Sequence, residues 1–311
     1  MKSLLTFSQY SVENVKLIVV CEGENTVTAT KDGITKSAYG NKDTFYFIDL
    51  EPGTWTISAN NGLKYTSKNI VIIQDKKYIL TLNYNFIPIF TYTGNYEILD
   101  DDNNIVDSSF GKKDWKIRFL TSGTLNVSNL NGAEDGIDVF LVGGGGGSES
   151  YGGGGGGYTK TFSTTLTNSI SYNIIVGSGG RGSKVGGVSS AFDISVSGGS
   201  YSIGDNGGNG GSGGGASESI KGGSNGSNGD SNEKYKYIGG QGQGTTTREF
   251  GESTGRLYAG GGGGNMGGLG GAGGGGNDSQ NGIANSGGGA GAGSGRTFSG
   301  GSGIVVIRNK R

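Results

Sequence analysis

The sequence predicts an all-β chain. A small N-terminal β-sandwich occupies residues 1–85, and a jelly-roll-like β-sandwich over 86–311 carries an inserted bundle of polyglycine-II helices at about 143–303. Three observations lead there. The first half is filled by short runs rich in Val, Ile, Thr and aromatic residues, separated by turn residues and lacking the period of a helix. Glycine supplies 60 of the 169 residues from Gly143 to Arg311 and only 10 of the 142 before it. The chain then closes on an apolar β-branched strand, Ile304-Val305-Val306-Ile307, which needs a sheet begun earlier to receive it.

The strand runs come in order. Val15–Cys21, Thr26–Thr30, Thr44–Leu50, Thr54–Ala59, Lys68–Ile73 and Tyr78–Tyr84 are broken by Lys31-Asp32-Gly33, Glu51-Pro52-Gly53 and Asn60-Asn61-Gly62. Thr54, Thr56 and Ser58 alternate with Trp55, Ile57 and Ala59, so that strand has one wet and one buried face. Asn61-Gly62 suits a tight primed hairpin turn, because both central residues need positive φ. A second block follows. Trp115–Leu120 alternates, Leu125-Asn126-Val127 follows a turn, and Ile137–Val142 runs directly into Gly143–Gly147. Asp100-Asp101-Asp102-Asn103-Asn104 lacks the glycine and distal glutamate of a calcium loop and reads as a solvated hairpin tip. Inside the glycine-rich part, Tyr158–Thr164, Ser171–Val176 and Ala191–Val196 read as strands. Phe90–Val142, Tyr158–Val196 and Ile304–Arg308 are expected to form one sandwich.

Glycine offers no side chain for a core and loses the most backbone entropy on ordering. The runs Gly143–Gly147, Gly152–Gly157, Gly260–Gly264, Gly273–Gly276 and Gly287–Gly289 are therefore either a flexible linker or a lattice made of backbone. Collagen is excluded, since no strict three-residue repeat occurs and no proline follows Pro88. Disorder would leave the closing strand unexplained. A polyglycine-II helix has three residues per turn and points every N–H and C=O at a neighbour. Glycine lets such helices approach closely enough to hydrogen-bond. The flanking sandwich would set their register.

Composition excludes several chemistries. The formal net charge is −1 and no long block of like charge occurs, so no nucleic acid is expected, and no 18-residue apolar segment occurs, so no membrane insertion is expected. With no histidine and one cysteine, Cys21, the chain can build no Ser-His-Asp or Cys-His site, no Cys/His zinc site and no internal disulfide. Cys21 ends a strand-like run and reads as a packed thiol. Gly177-Ser178-Gly179-Gly180-Arg181-Gly182 matches a dinucleotide fingerprint only because glycine is so frequent, and no helix pattern follows it. The N-terminus lacks the apolar stretch of a signal peptide, so synthesis and folding in a cytoplasm are expected. No catalytic residue, metal or cofactor is expected.

Two stretches carry a resemblance. Glu51-Pro52-Gly53-Thr54-Trp55-Thr56-Ile57 with Lys77-Tyr78-Ile79-Leu80-Thr81-Leu82 resembles the transthyretin-like or carboxypeptidase-regulatory-like β-sandwich modules of phage tail proteins. Ile137–Gly147, Gly239–Glu252 with its Thr247-Arg248-Glu249-Phe250-Gly251-Glu252, Leu257–Gly264 and Gly300–Arg308 resemble the glycine-rich tail-fibre or receptor-binding proteins of phages and prophages of Gram-positive bacteria. The arrangement is also similar to the glycine-rich domain of the anaplastic lymphoma kinase receptor family, which carries cysteines that this chain lacks. The resemblance implies a virion tail or baseplate protein, assembled in the host cytoplasm. It would be a non-enzymatic adhesin for a bacterial surface polysaccharide or surface-layer protein, with other tail proteins as partners and a homotrimer as its assembly. The N-terminal sandwich would attach or space it. The alternatives are a non-binding structural tail or baseplate component, a structural or ice-binding protein, and a cell-wall polysaccharide depolymerase. The residues expected to meet a receptor are Tyr151, Tyr201, Tyr235, Tyr237, Arg248, Arg256 and Phe298, because Tyr-, Ser- and Gly-rich loops make adaptable binding surfaces. Arg248-Glu249 with Glu252 and Arg256 reads as charge that pins a loop, and Phe250 and Tyr258 as packing residues.

Overall fold

The computed structural model describes residues 16–21, 25–60, 65–82, 87–106, 114–217 and 247–310. It divides into two compact units, Met1–Phe86 with Ser109–Lys112, and Ile87–Ser108 with Lys113–Arg311. Among the described residues the regular structure is all β, with one short 3-10 turn at Glu249–Gly251.

The first unit packs two four-stranded sheets. One orders β4 (Tyr39–Asn41), β5 (Thr44–Phe47), β1 (Leu17–Val20) and β8 (Tyr78–Thr81), with β1 and β8 parallel. The other orders β3 (Ile34–Ser37), β2 (Thr26–Lys31), β6 (Gly53–Asn60) and β7 (Tyr65–Ile72). Alternate residues of both sheets make the core: Leu17, Val19, Val27, Ala29, Phe45, Phe47, Trp55, Ile57, Ala59 and Ile72, with Cys21 among them. The wet-and-buried alternation of residues 54–59 thus places Trp55, Ile57 and Ala59 inside. The β6–β7 pairing closes at Asn60 and Tyr65, which leaves four residues between the strands rather than two. Asn61 and Gly62 lie outside the described residues.

The second unit is a sandwich with an insertion. Its larger sheet orders β10 (Tyr96–Asp100), β11 (Trp115–Phe119), β18 (Ile304–Asn309), β13 (Ile137–Val142) and β14 (Thr159–Thr164). The closing strand β18 is the middle of this sheet, antiparallel to both β11 and β13. The smaller sheet orders β15 (Ser171–Ile174), β12 (Gly123–Asn129) and β9 (Ile89–Tyr92). Tyr92 of one sheet packs on Phe119 of the other, ring centroids 4.7 Å apart.

One expected strand is a hairpin instead. Residues 191–196 divide into β16 (Ser189–Ala191) and β17 (Ile194–Val196). Phe192 and Asp193 between them both have positive φ, 51° and 62°, the backbone signature of a two-residue primed turn. An Asp-Gly pair would have advertised this turn; Phe-Asp did not.

Candidate functional site

Between β13 and β18 the glycine runs form a bundle whose hydrogen bonds repeat every third residue. In the run from Gly143, Gly143 and Gly146 donate to the carbonyls of Tyr158 and Gly155. Gly144 and Gly147 donate to Gly187 and Lys184, and Gly145 and Ser148 to Gly301 and Phe298. These bonds are 2.8–3.1 Å long. The carbonyls of Gly144, Gly145, Gly146 and Gly147 in turn accept from Gly199, Gly180, Ala290 and Ser202. One run therefore has six neighbours, three receiving its N–H groups and three supplying donors, as a three-fold polyglycine-II helix requires. Gly152–Gly157 repeats the scheme. Gly153 and Gly156 donate to Gly215 and Ser212, Gly154 and Gly157 to Ala290 and Gly287, and Gly152 and Gly155 to Gly204 and Ser200.

In Gly143–Gly147 and Gly152–Gly157 side chains are excluded by contact rather than by φ. A Cβ on Gly145 would overlap the carbonyl oxygen of Gly288, and one on Gly154 that of Gly146. Buried glycine is thus what brings the backbones together.

The first run leaves the sheet at Val142 and turns at Ser148–Tyr151. At ~3.1 Å per residue that turn lies roughly 16 Å from the end of β13. This distal turn gathers others by backbone bonds. Gly182 donates to Phe298, Gly152 to Gly204, Asn265 to Tyr151, and Gly293 and Ser294 to Ser150. Left-handed residues mark these loops: Gly182, Gly204, Met266, Gly267, Ser294 and Gly295. The tip carries Tyr151, 49% exposed, flanked by Ile203 at 65% and Met266 at 66%. Ser183 donates to the Glu149 carboxylate across the same turn.

Of the sequence-nominated contact residues, Tyr151, Tyr201 and Phe298 come to this end. The backbone of Phe298 pairs with Ser148, and Tyr201 precedes Ser202, whose amide bonds Gly147. Ile203 and Met266 were missed, because an isolated aliphatic residue among glycines carries no periodic signal. Tyr235 and Tyr237 lie outside the described residues. Arg248 and Arg256 stand elsewhere, on a segment that covers the larger sheet. Arg248 donates to the Gly255 carbonyl at 3.1 Å, and the Arg256 guanidinium lies 5.3 Å from the Tyr258 ring centroid.

Thr247–Tyr258 seals the outer face of β11, β18 and β13. Phe250 and Tyr258 pack with Phe140, Val142, Ile304 and Val306. Phe250 does so with φ at 56°. Beneath them lies a buried charge cluster. Glu249 meets Lys116 Nζ at 3.1 Å and Arg118 Nη2 at 3.0 Å, and Tyr258 donates its hydroxyl to it at 2.8 Å. Burial pushes the Glu249 carboxyl up, but Arg118 and Lys116 outweigh it and hold the group below the usual carboxylate range. Burial first, then Glu249, pushes the Tyr258 hydroxyl above its ordinary range. Arg308 adds a second bridge, to Asp138 at 3.3 Å and Glu252 at 2.6 Å, with its guanidinium 4.0 Å from the Phe250 ring centroid. These charges pin the loop.

Residues 120–310, most of the second unit, match the glycine-rich domain family. The chain belongs to that family. The matched stretch begins at the end of β11 and includes β12, β13, the glycine bundle and β18. No curated protein and no solved structure matches the chain.

Proposed function

We propose that this protein is a receptor-binding adhesin of a phage or phage-like tail, and that the distal loops of the glycine bundle meet a polymer or protein of a Gram-positive cell surface. The observation that carries the reading is the contrast between lattice and tip. At the packed glycines of the bundle a side chain has no room. At its far end Tyr151, Ile203 and Met266 stand exposed on turns fixed by lattice hydrogen bonds. Variable loops on a rigid scaffold are a recurrent way to build a binding surface, and large apolar groups held in water favour a partner. Tyr151 also suits an anchor role, since an amphipathic ring binds at low entropy cost. The phage context rests on the resemblance of Thr247–Glu252 and the glycine runs to tail proteins.

The test is binding of the labelled full chain to a panel of Gram-positive strains, beside the variant Tyr151→Ala/Ile203→Ala/Met266→Ala. Binding restricted to some strains and lost in the variant, with its thermal unfolding unchanged, supports the reading. Binding that the variant retains moves the site away from the tip. Absence of binding to every strain makes the protein a structural tail component.

A further inference from the structure

The buried charge cluster has a further polar neighbour that ion pairing does not need. Asp100 is followed by a turn in which Asn103 takes φ of 64° and the Asn104 amide bonds Asp100 Oδ1 at 2.8 Å. This turn puts the Asn103 side chain against β11. Lys116 Nζ donates to Asn103 Oδ1 at 2.7 Å, and Arg118 Nη2 donates to the same oxygen at 2.8 Å. Lys116 and Arg118 are donors only, so the atom between them is the carbonyl oxygen and not the amide nitrogen. The amine of Lys116 is thus next to an amide carbonyl carbon, and Glu249 Oε1 is 3.1 Å from that amine. The hairpin tip is solvated at Asp101, Asp102 and Asn103, and the Asn103 side-chain oxygen reaches in to the edge of the buried cluster.

We infer that Lys116 and Asn103 form an intramolecular isopeptide bond, with Glu249 as the proton carrier and Arg118 as the oxyanion donor. The step needs no co-reactant. The Glu249 carboxylate takes a proton from the Lys116 ammonium, and the freed electron pair attacks Asn103 Cγ. The C=O pair moves onto Oδ1, where the Arg118 guanidinium stabilises the negative charge. Collapse breaks the Cγ–Nδ2 bond. Glu249 returns its proton to the departing nitrogen, and one molecule of ammonia leaves as ammonium once it takes up the remaining proton. The product is Nζ–Cγ amide. Glu249 Oε1 lies 3.1 Å from the Lys116 amine and Asn103 Oδ1 lies 2.7 Å from it, both within the reach that proton transfer demands. Asn103 is solvent-exposed, so ammonia has a way out. The bond would staple the 100–104 turn to β11, a strand beside the central β18, and would harden the sandwich that carries the bundle. This inference stands on the cluster geometry and does not depend on what the tip binds.

The test is the intact mass of the purified full chain, beside Lys116→Arg, which keeps the charge and removes the nucleophile. Wild type should be lighter than its sequence by one ammonia, with tandem spectra giving a branched peptide that joins Lys116 to Asn103. Lys116→Arg and Glu249→Gln should each show their full sequence mass. A full-mass wild type overturns the inference. So does an ammonia loss located at any other asparagine, or one that persists in Lys116→Arg. Because the wild-type mass and the branched peptide together decide the matter, a variant that fails to fold leaves the result intact.

Discussion

At the scale of single residues, a lattice glycine is defined by the carbonyl it faces. Gly145 and Gly204 look alike in sequence, yet a Cβ on Gly145 meets the Gly288 carbonyl and one on Gly204 meets nothing within 4 Å. Gly145→Ala should therefore cost about 3 kcal/mol or more, because two hydrogen-bonded backbones must separate to admit it. Gly204→Ala should cost only about 1–2 kcal/mol, the strain of a left-handed alanine at φ of 57°. Chemical denaturation of both variants measures the difference, and equal costs would contradict the packing. None of this distinction was readable beforehand. The partner of Gly145 lies at positions 288 and 301, and no side-chain pattern points from one glycine run to another.

At the scale of elements, strands were legible where side chains alternate and hidden where they do not. Trp55, Ile57 and Ala59 announced β6, and the closing apolar run announced β18. The β16–β17 hairpin was read as one strand because Phe192-Asp193 is not a usual turn pair. In the Thr247–Tyr258 segment Glu249 and Glu252 pin the loop by charge and Phe250 and Tyr258 pack, as their sequence suggests, whereas Arg248 meets a backbone carbonyl and Arg256 a ring. Arg118 lies 131 positions from Glu249, and such long-range pairs carry no local signal. This segment also sets the response to pH. The Glu249 carboxyl is lowered on folding from its ordinary 4.5, so the stability it contributes is present above that pH and is lost as pH falls through the folded value. The Tyr258 hydroxyl is raised from 10, so its contribution is complete below pH 10 and is lost as pH rises beyond it. Glu249→Gln should cost about 3–5 kcal/mol at pH 7, because Arg118 stays buried without its counter-charge. The deficit should shrink below pH 4.5. Unfolding curves at pH 7 and pH 3.5 check this, and a deficit that does not change with pH would contradict it.

At the scale of the whole molecule, the second unit solves the problem of building order from glycine. Its sandwich fixes where the first run begins and where β18 returns, and the runs between satisfy one another's backbone groups in a three-fold pattern. Each net hydrogen bond contributes about 0.5–1.5 kcal/mol against roughly 1–2 kcal/mol of ordering per residue. The lattice is therefore stable as part of the sandwich, and the exposed tip inherits its rigidity. Amide hydrogen exchange resolved to single glycines tests this claim most directly. Gly144–Gly147 and Gly153–Gly157 should exchange as slowly as the amides of β13, while Gly204, at an exposed turn, exchanges fast. Rapid exchange through the runs, with β13 still protected, would show a flexible insertion on a folded sandwich and would contradict the lattice.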